Sequence, residues 1–149
     1  MSNCSNRSSV LDYFLTTGDK KPKVSPYSFA YVRIETDGVV HEELTNKVST
    51  GISGADHLLI ETSRPSERLI FVFNEPLPEG HHTYEVWDVG GCAYIAPYNE
   101  FQQHYATGRF DVSVRDNGNT KLGDFDFRFY PAESLQLVKV RATFYGVGQ

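Results

Sequence analysis

Thr107–Pro131 reads TGRFDVSVRDNGNTKLGDFDFRFYP, the stretch on which the fold turns. Phe110, Val112 and Val114 alternate with Arg109, Asp111, Ser113 and Arg115. Successive side chains on a strand point to opposite faces, so this spacing makes one apolar face and one polar face. Asp116-Asn117-Gly118-Asn119 follows, built from residues that accept the positive φ of hairpin turns. On the return, Phe125, Phe127 and Phe129 share one face, and Asp124, Asp126 and Arg128 share the other. The pattern predicts a β-hairpin with an aromatic and aliphatic inner face.

The neighbouring segments extend the same theme. Tyr27–Thr36 alternates, with Ala30, Val32 and Ile34 on one face and Phe29 and Tyr31 on the other. Asp37-Gly38 is a two-residue hairpin signal, and Val39–Leu44 is the return strand. Thr45–Ala55, rich in Thr, Ser and Gly, reads as a surface loop. His57–Ser63 and Glu67–Asn74 are further strands. The run Leu69-Ile-Phe-Val-Phe73 is apolar on both faces, which predicts a central strand covered on both sides. Thr83–Asp88 and Cys92–Ala96 read as a hairpin across Val89-Gly90-Gly91. Between residues 97 and 106, Tyr98, Phe101 and Tyr105 recur at helical spacing, predicting a short helix. Leu135–Val147 is the last strand, with a phase shift that suggests a bulge near Leu137-Val138.

The predicted fold class is therefore mainly β: an antiparallel β-sandwich or barrel of about nine strands, with one or two short helices. Residues 1–26 form a polar N-terminal tail in which Ser9–Leu15 has helical spacing, and residues 27–149 form a single β domain. A chain of 149 residues buries enough surface to hold a core without a disulfide or metal.

Composition narrows function by exclusion. A net charge of −5 speaks against a nucleic-acid partner, which calls for a basic patch. Lys20-Lys21-Pro22-Lys23 is the densest basic run and reads as a linker. No apolar run is long enough for a membrane span. The N-terminus lacks the basic-then-apolar order of an export signal, so the expected location is cytoplasmic, with Cys4 and Cys92 reduced.

Candidate chemistry is sparse. Asp116, Asn117, Asn119 and Asp124 supply the hard oxygens that calcium prefers, but no glutamate stands at the twelfth loop position. His81-His82 with Glu85 is the densest ionisable cluster, and Pro78-Glu79-Gly80-His81-His82 looks roughly like part of a cupin-type jelly-roll motif. The paired histidines of that family, one residue apart and followed by glutamate, do not occur in this chain. Adjacent histidines on a strand also face opposite ways. No cofactor or metal is expected, and a metal-dependent jelly-roll-like enzyme is the alternative rather than the leading expectation. No Gly-x-Ser-x-Gly elbow is present.

The candidate ligand-binding residues are Trp87, Tyr94, Tyr98, Phe101 and Tyr105, whose rings could stack on a sugar or another flat ligand. Glu85, Asp88, Asn99 and His104 could supply polar contacts. The leading expectation is a non-enzymatic binding module, with a small molecule, a glycan or a protein as partner. A third expectation is an assembly protein, a homodimer pairing through the long final strand, where Lys139 and Arg141 are the only charged gatekeepers.

Overall fold

The computed structural model describes residues 27–51, 56–64, 68–73, 75–86, 92–95, 99–100, 106–131 and 136–148; for 92–95 and 99–100 it describes the backbone alone. The strands are β1 (Phe29–Thr36), β2 (Val39–Thr45), β3 (Val48–Gly51), β4 (His57–Glu61), β5 (Arg68–Val72) and β6 (Gly80–Glu85). They continue with β7 (Cys92–Ile95), β8 (Asn99–Glu100), β9 (Thr107–Arg115), β10 (Thr120–Phe129) and β11 (Val138–Val147). One sheet has the order β2-β1-β11-β10-β9-β6 and the other β3-β4-β5-β7-β8. All pairings are antiparallel. No helix among the described residues is long and apolar enough to cross a membrane.

The two sheets share one core, an arrangement compatible with a β-sandwich. Ala30, Val32, Phe110, Val112, Phe125, Phe127, Val140 and Phe144 come from the first sheet, and Leu58, Ile60, Leu69 and Phe71 from the second. Phe71 bridges them, its ring centroid 4.9 Å from that of Phe110 and 5.2 Å from that of Phe125. Tilted ring pairs at such distances combine apolar burial with a favourable quadrupole geometry.

The β9–β10 hairpin has the predicted faces. Phe110, Val112, Val114, Phe125, Phe127 and Phe129 are all buried, while Arg109, Asp124, Asp126 and Arg128 are exposed. Arg115 pairs with Thr120, and Asp116–Asn119 makes the connection, the Asn119 amide donating to the Asp116 carbonyl at 3.1 Å. Asp116 and Asn117 both have positive φ, as the turn chemistry requires. Gly108 faces Phe127 across the ladder. A Cβ there would lie 2.0 Å from the Asp126 carbonyl oxygen, so only glycine lets the strands close. The Asp37-Gly38 turn is also as expected, with φ of 52° and 83°. All five residues of Leu69–Phe73 are buried, and β5 is the middle strand of its sheet.

Four expectations are corrected. The Thr45–Ala55 loop contains a strand: β3 pairs with β4, and Val48, Ser49 and Thr50 are buried. Its hydroxyls pass for loop chemistry in sequence, but Thr50 Oγ1 donates to the His57 carbonyl at 2.7 Å inside the protein. The proposed hairpin of 83–88 with 92–96 does not form, because β6 pairs with β9 in one sheet and β7 with β5 in the other. Within the 97–106 segment, Asn99-Glu100 is extended and pairs with Ile95 and Tyr94 rather than being helical. Finally, β11 starts at Val138 and runs in unbroken register to Val147, so the phase shift marks a strand start and no bulge. The Ser9–Leu15 helix and the rest of the tail lie outside the described residues.

Candidate functional site

Outward-facing positions of the first sheet divide into two ends. In-register pairs place Glu35 beside Val40 and Lys139, and Arg33 beside Glu42 and Arg141. That end is laced with charge: Arg33 contacts Glu35 and Glu42 at 3.2 Å each, and Arg141 contacts Asp126 at 3.5 Å. Toward the other end Tyr31 stands beside Leu44, and Phe29 beside Tyr145. The Phe29 and Tyr145 rings stack at 5.9 Å with 14° between their planes. Tyr27, Phe29, Tyr31 and Leu44 all remain exposed. The Tyr31 hydroxyl donates to Glu42, a bond that raises the phenol above its ordinary value and lowers the carboxyl below its own.

Where this apolar end meets the second sheet, a concavity of about 560 Å³ opens between Tyr27, Phe29 and Leu44 on one side and Glu43, Lys47 and Ser63 on the other. The β2–β3 turn and the chain leaving β4 position its polar wall. Glu43 accepts hydrogen bonds from the Ser63 amide and hydroxyl, both at 2.6 Å, and from His41 Nε2 at 3.0 Å. Partial burial alone would raise the Glu43 carboxyl. The Ser63 and His41 hydrogen bonds outweigh it and hold the group below the ordinary carboxylate range. The Ser63–Glu43–His41 cluster ties β2 to the chain after β4 and gives the groove a polar rim.

A second polar cluster lies inside the protein. Lys121 occupies the inward phase of β10, two and four residues before Gly123 and Phe125. Its side chain is fully buried, and its ammonium lies 2.6 Å from Asp56 Oδ1, whose side chain is buried equally. Lys121 Nζ also donates to Thr50 Oγ1 at 2.9 Å and to the Gly118 carbonyl at 2.8 Å. Asp56 Oδ2 accepts from the Leu77 amide at 2.8 Å. The 2.6 Å approach to Oδ1 is that of an ion pair, although its angles fall short of a well-formed hydrogen bond. Burial lowers the Lys121 ammonium from its ordinary value, and Asp56 opposes that shift. With both side chains fully buried, this cluster joins the sheets.

The sequence-derived candidates fare differently. Trp87, Tyr98, Phe101 and Tyr105 lie outside the described residues, and so do Asp88 and His104. Tyr94 pairs through its backbone with Ile70 and Glu100, and its side chain lies outside what is described. His81 engages Asp111. His82 Nε2 instead faces the Pro78 and Glu79 carbonyls at 2.7 and 3.2 Å. Glu85 stands in register with Arg109. Among the described residues no group of three or more His, Cys, Asp and Glu side chains is placed to hold a metal. In the oxygen-rich turn, Asp116 Oδ2 accepts from Thr120 Oγ1 at 2.9 Å, and Asp124 lies 3.8 Å from Arg109.

Two features escaped the sequence. Alternation separates Phe29 and Tyr31 from Ala30, Val32 and Ile34, but it does not say that the aromatic face is the exposed one. Lys121 carried a signal in its phase, which puts a cation where the pattern demands an apolar side chain. No protein-family model matches the chain, and neither does any curated protein or solved structure.

Proposed function

We propose that this chain is a non-enzymatic β-sandwich binding module whose ligand seats in the groove between Tyr27, Phe29 and Leu44 and the Glu43–Ser63 clip. One observation carries the proposal: aromatic side chains stand exposed beside a concavity that Glu43, Ser63 and Lys47 also line. Ligand sites combine apolar walls with a few placed polar groups. A glycan fits that chemistry, since one sugar face is apolar and its edge carries hydroxyls. Protein partners and flat small molecules share only the apolar half of it.

Thermal-shift measurements against a glycan panel test the proposal. A ligand present at about a hundred times its Kd stabilises the folded state by about 2.7 kcal/mol. Tyr27→Ala should abolish that shift and leave the ligand-free melt in place, because Tyr27 is 76% exposed. Silence across the panel, or a shift that survives Tyr27→Ala, refutes this site.

A further inference from the structure

Among the described residues the outer strands of the six-stranded sheet are β2 and β6, and β2 is the longer, with seven residues against six. Sheet edges are ordinarily guarded by lysine, proline, bulges or shortness. The sequence of β2, VVHEELT, holds neither lysine nor proline. Its register with β1 is unbroken from Ala30↔Thr45 to Thr36↔Val39, so no bulge turns the edge aside. It is seven residues long, against four for β3 and two for β8, the outer strands of the other sheet. Val39 and Leu44 are 72% and 71% exposed, and Val40 is 40% exposed.

We infer that β2 is a pairing edge: it adds antiparallel to β2 of a second copy of this chain across a two-fold axis at Glu42, joining two six-stranded sheets into one. The register follows from chemistry. Directly opposed residues in a continuous sheet must share a face, so the axis must pass through a residue and not between two. Centred on Glu42, Val40 meets the second copy's Leu44 on the outer face, and His41 meets its Glu43 on the inner face. Each match occurs twice by symmetry. Centred on His41, Val40 would meet Glu42 and His41 would meet itself. Centred on Glu43, Leu44 would meet Glu42 and two Glu43 carboxylates would collide. In the favoured register the like pair is Glu42 with its own copy, and each of those carboxylates is already held by Arg33 and the Tyr31 hydroxyl of its own sheet. His41 and Glu43 then form a ring of alternating groups, since each contacts the other within its own strand at 3.0 Å.

A single added strand buries less than a standard protein interface, so the dimer should dissociate on dilution. Sedimentation equilibrium over a dilution series, without ligand, reads the assembly directly and is independent of the groove. The expected result is a mean mass rising toward twice that of the chain, with Val40→Lys remaining monomeric and keeping the wild-type melt. Glu42→Cys places two thiols at the axis, so mild oxidation should cross-link it. Val39→Cys should not cross-link, because residue 39 faces residue 45 in this register, and the wild-type cysteines serve as background. A monomer at every concentration overturns the inference. So does a dimer that is indifferent to Val40→Lys, or one that cross-links at 39 and not at 42.

Discussion

The two sheets meet through two unlike chemistries. In the middle of the interior the contact is aromatic: the ring of Phe71 from the second sheet lies 4.9 Å from that of Phe110 and 5.2 Å from that of Phe125, both of the first. Beside the β9–β10 turn the contact is polar, with Lys121 of the first sheet reaching Asp56 and Thr50 of the second. Apolar packing is non-directional, so losing one ring leaves a cavity that neighbours partly fill. A buried ion pair is directional and mutual, so losing one member strands the other in a medium that does not solvate it. The middle therefore supplies adhesion, and the turn end specifies how β3 and the start of β4 sit against β10.

The largest expected effect breaks the aromatic side of this comparison. Phe125→Ala should cost about 3–5 kcal/mol, near the upper end because four rings surround it. Against a total stability of about 5–15 kcal/mol, urea melts should show a barely folded or unfolded chain. A small loss would mean that the core is more plastic than its ring contacts indicate.

Lys121→Met comes next. Removing one partner of a buried pair typically costs about 3–5 kcal/mol, and here the loss should be partly reversible. Adding Asp56→Asn removes the stranded charge and keeps an oxygen for the Leu77 amide, so the double variant should melt above Lys121→Met alone. A double-mutant cycle measures the coupling. Strict additivity would show that the pair is not a unit and would erase the contrast with the aromatic middle.

The smallest effect belongs to the outer face. Asp126 stands opposite Arg109 and Arg141, with its side chain 62% exposed. Exposed pairs contribute about 0–1 kcal/mol, so Asp126→Ala should leave the urea midpoint nearly unchanged. If it proved as damaging as Phe125→Ala, the assignment of faces along β10 would be wrong by one residue.

One sequence expectation about assembly is overturned by topology. The final strand was the expected pairing edge, yet β11 lies between β1 and β10 with both ladders filled. Its Lys139 and Arg141 are cross-strand partners of Glu35 and Asp126, not guards of an edge. Strand order within a sheet depends on which ladders close far along the chain, and nothing in the local pattern of β11 records it. Among the described residues the outer strands of that sheet are β2 and β6, and β2 is the return strand of the Asp37-Gly38 hairpin.

By itself the sequence determined what period-two alternation and turn chemistry can specify. It set the mainly β class, the inward faces of β1, β9, β10 and β11, the Asp37-Gly38 and Asp116–Asn119 turns, and the doubly covered strand at Leu69–Phe73. These are local properties, written in residues a few positions apart. Tertiary structure alone decided that β6 and β7 belong to different sheets, that hydroxyl-rich Val48–Gly51 is a buried strand, and that Lys121 is sheltered by Asp56. It also decided that Tyr27, Phe29 and Leu44 gather beside Glu43 and Ser63. Each of these rests on partners distant in sequence, whose hydrogen bonds and charges become neighbours only once the sheets have closed on one another.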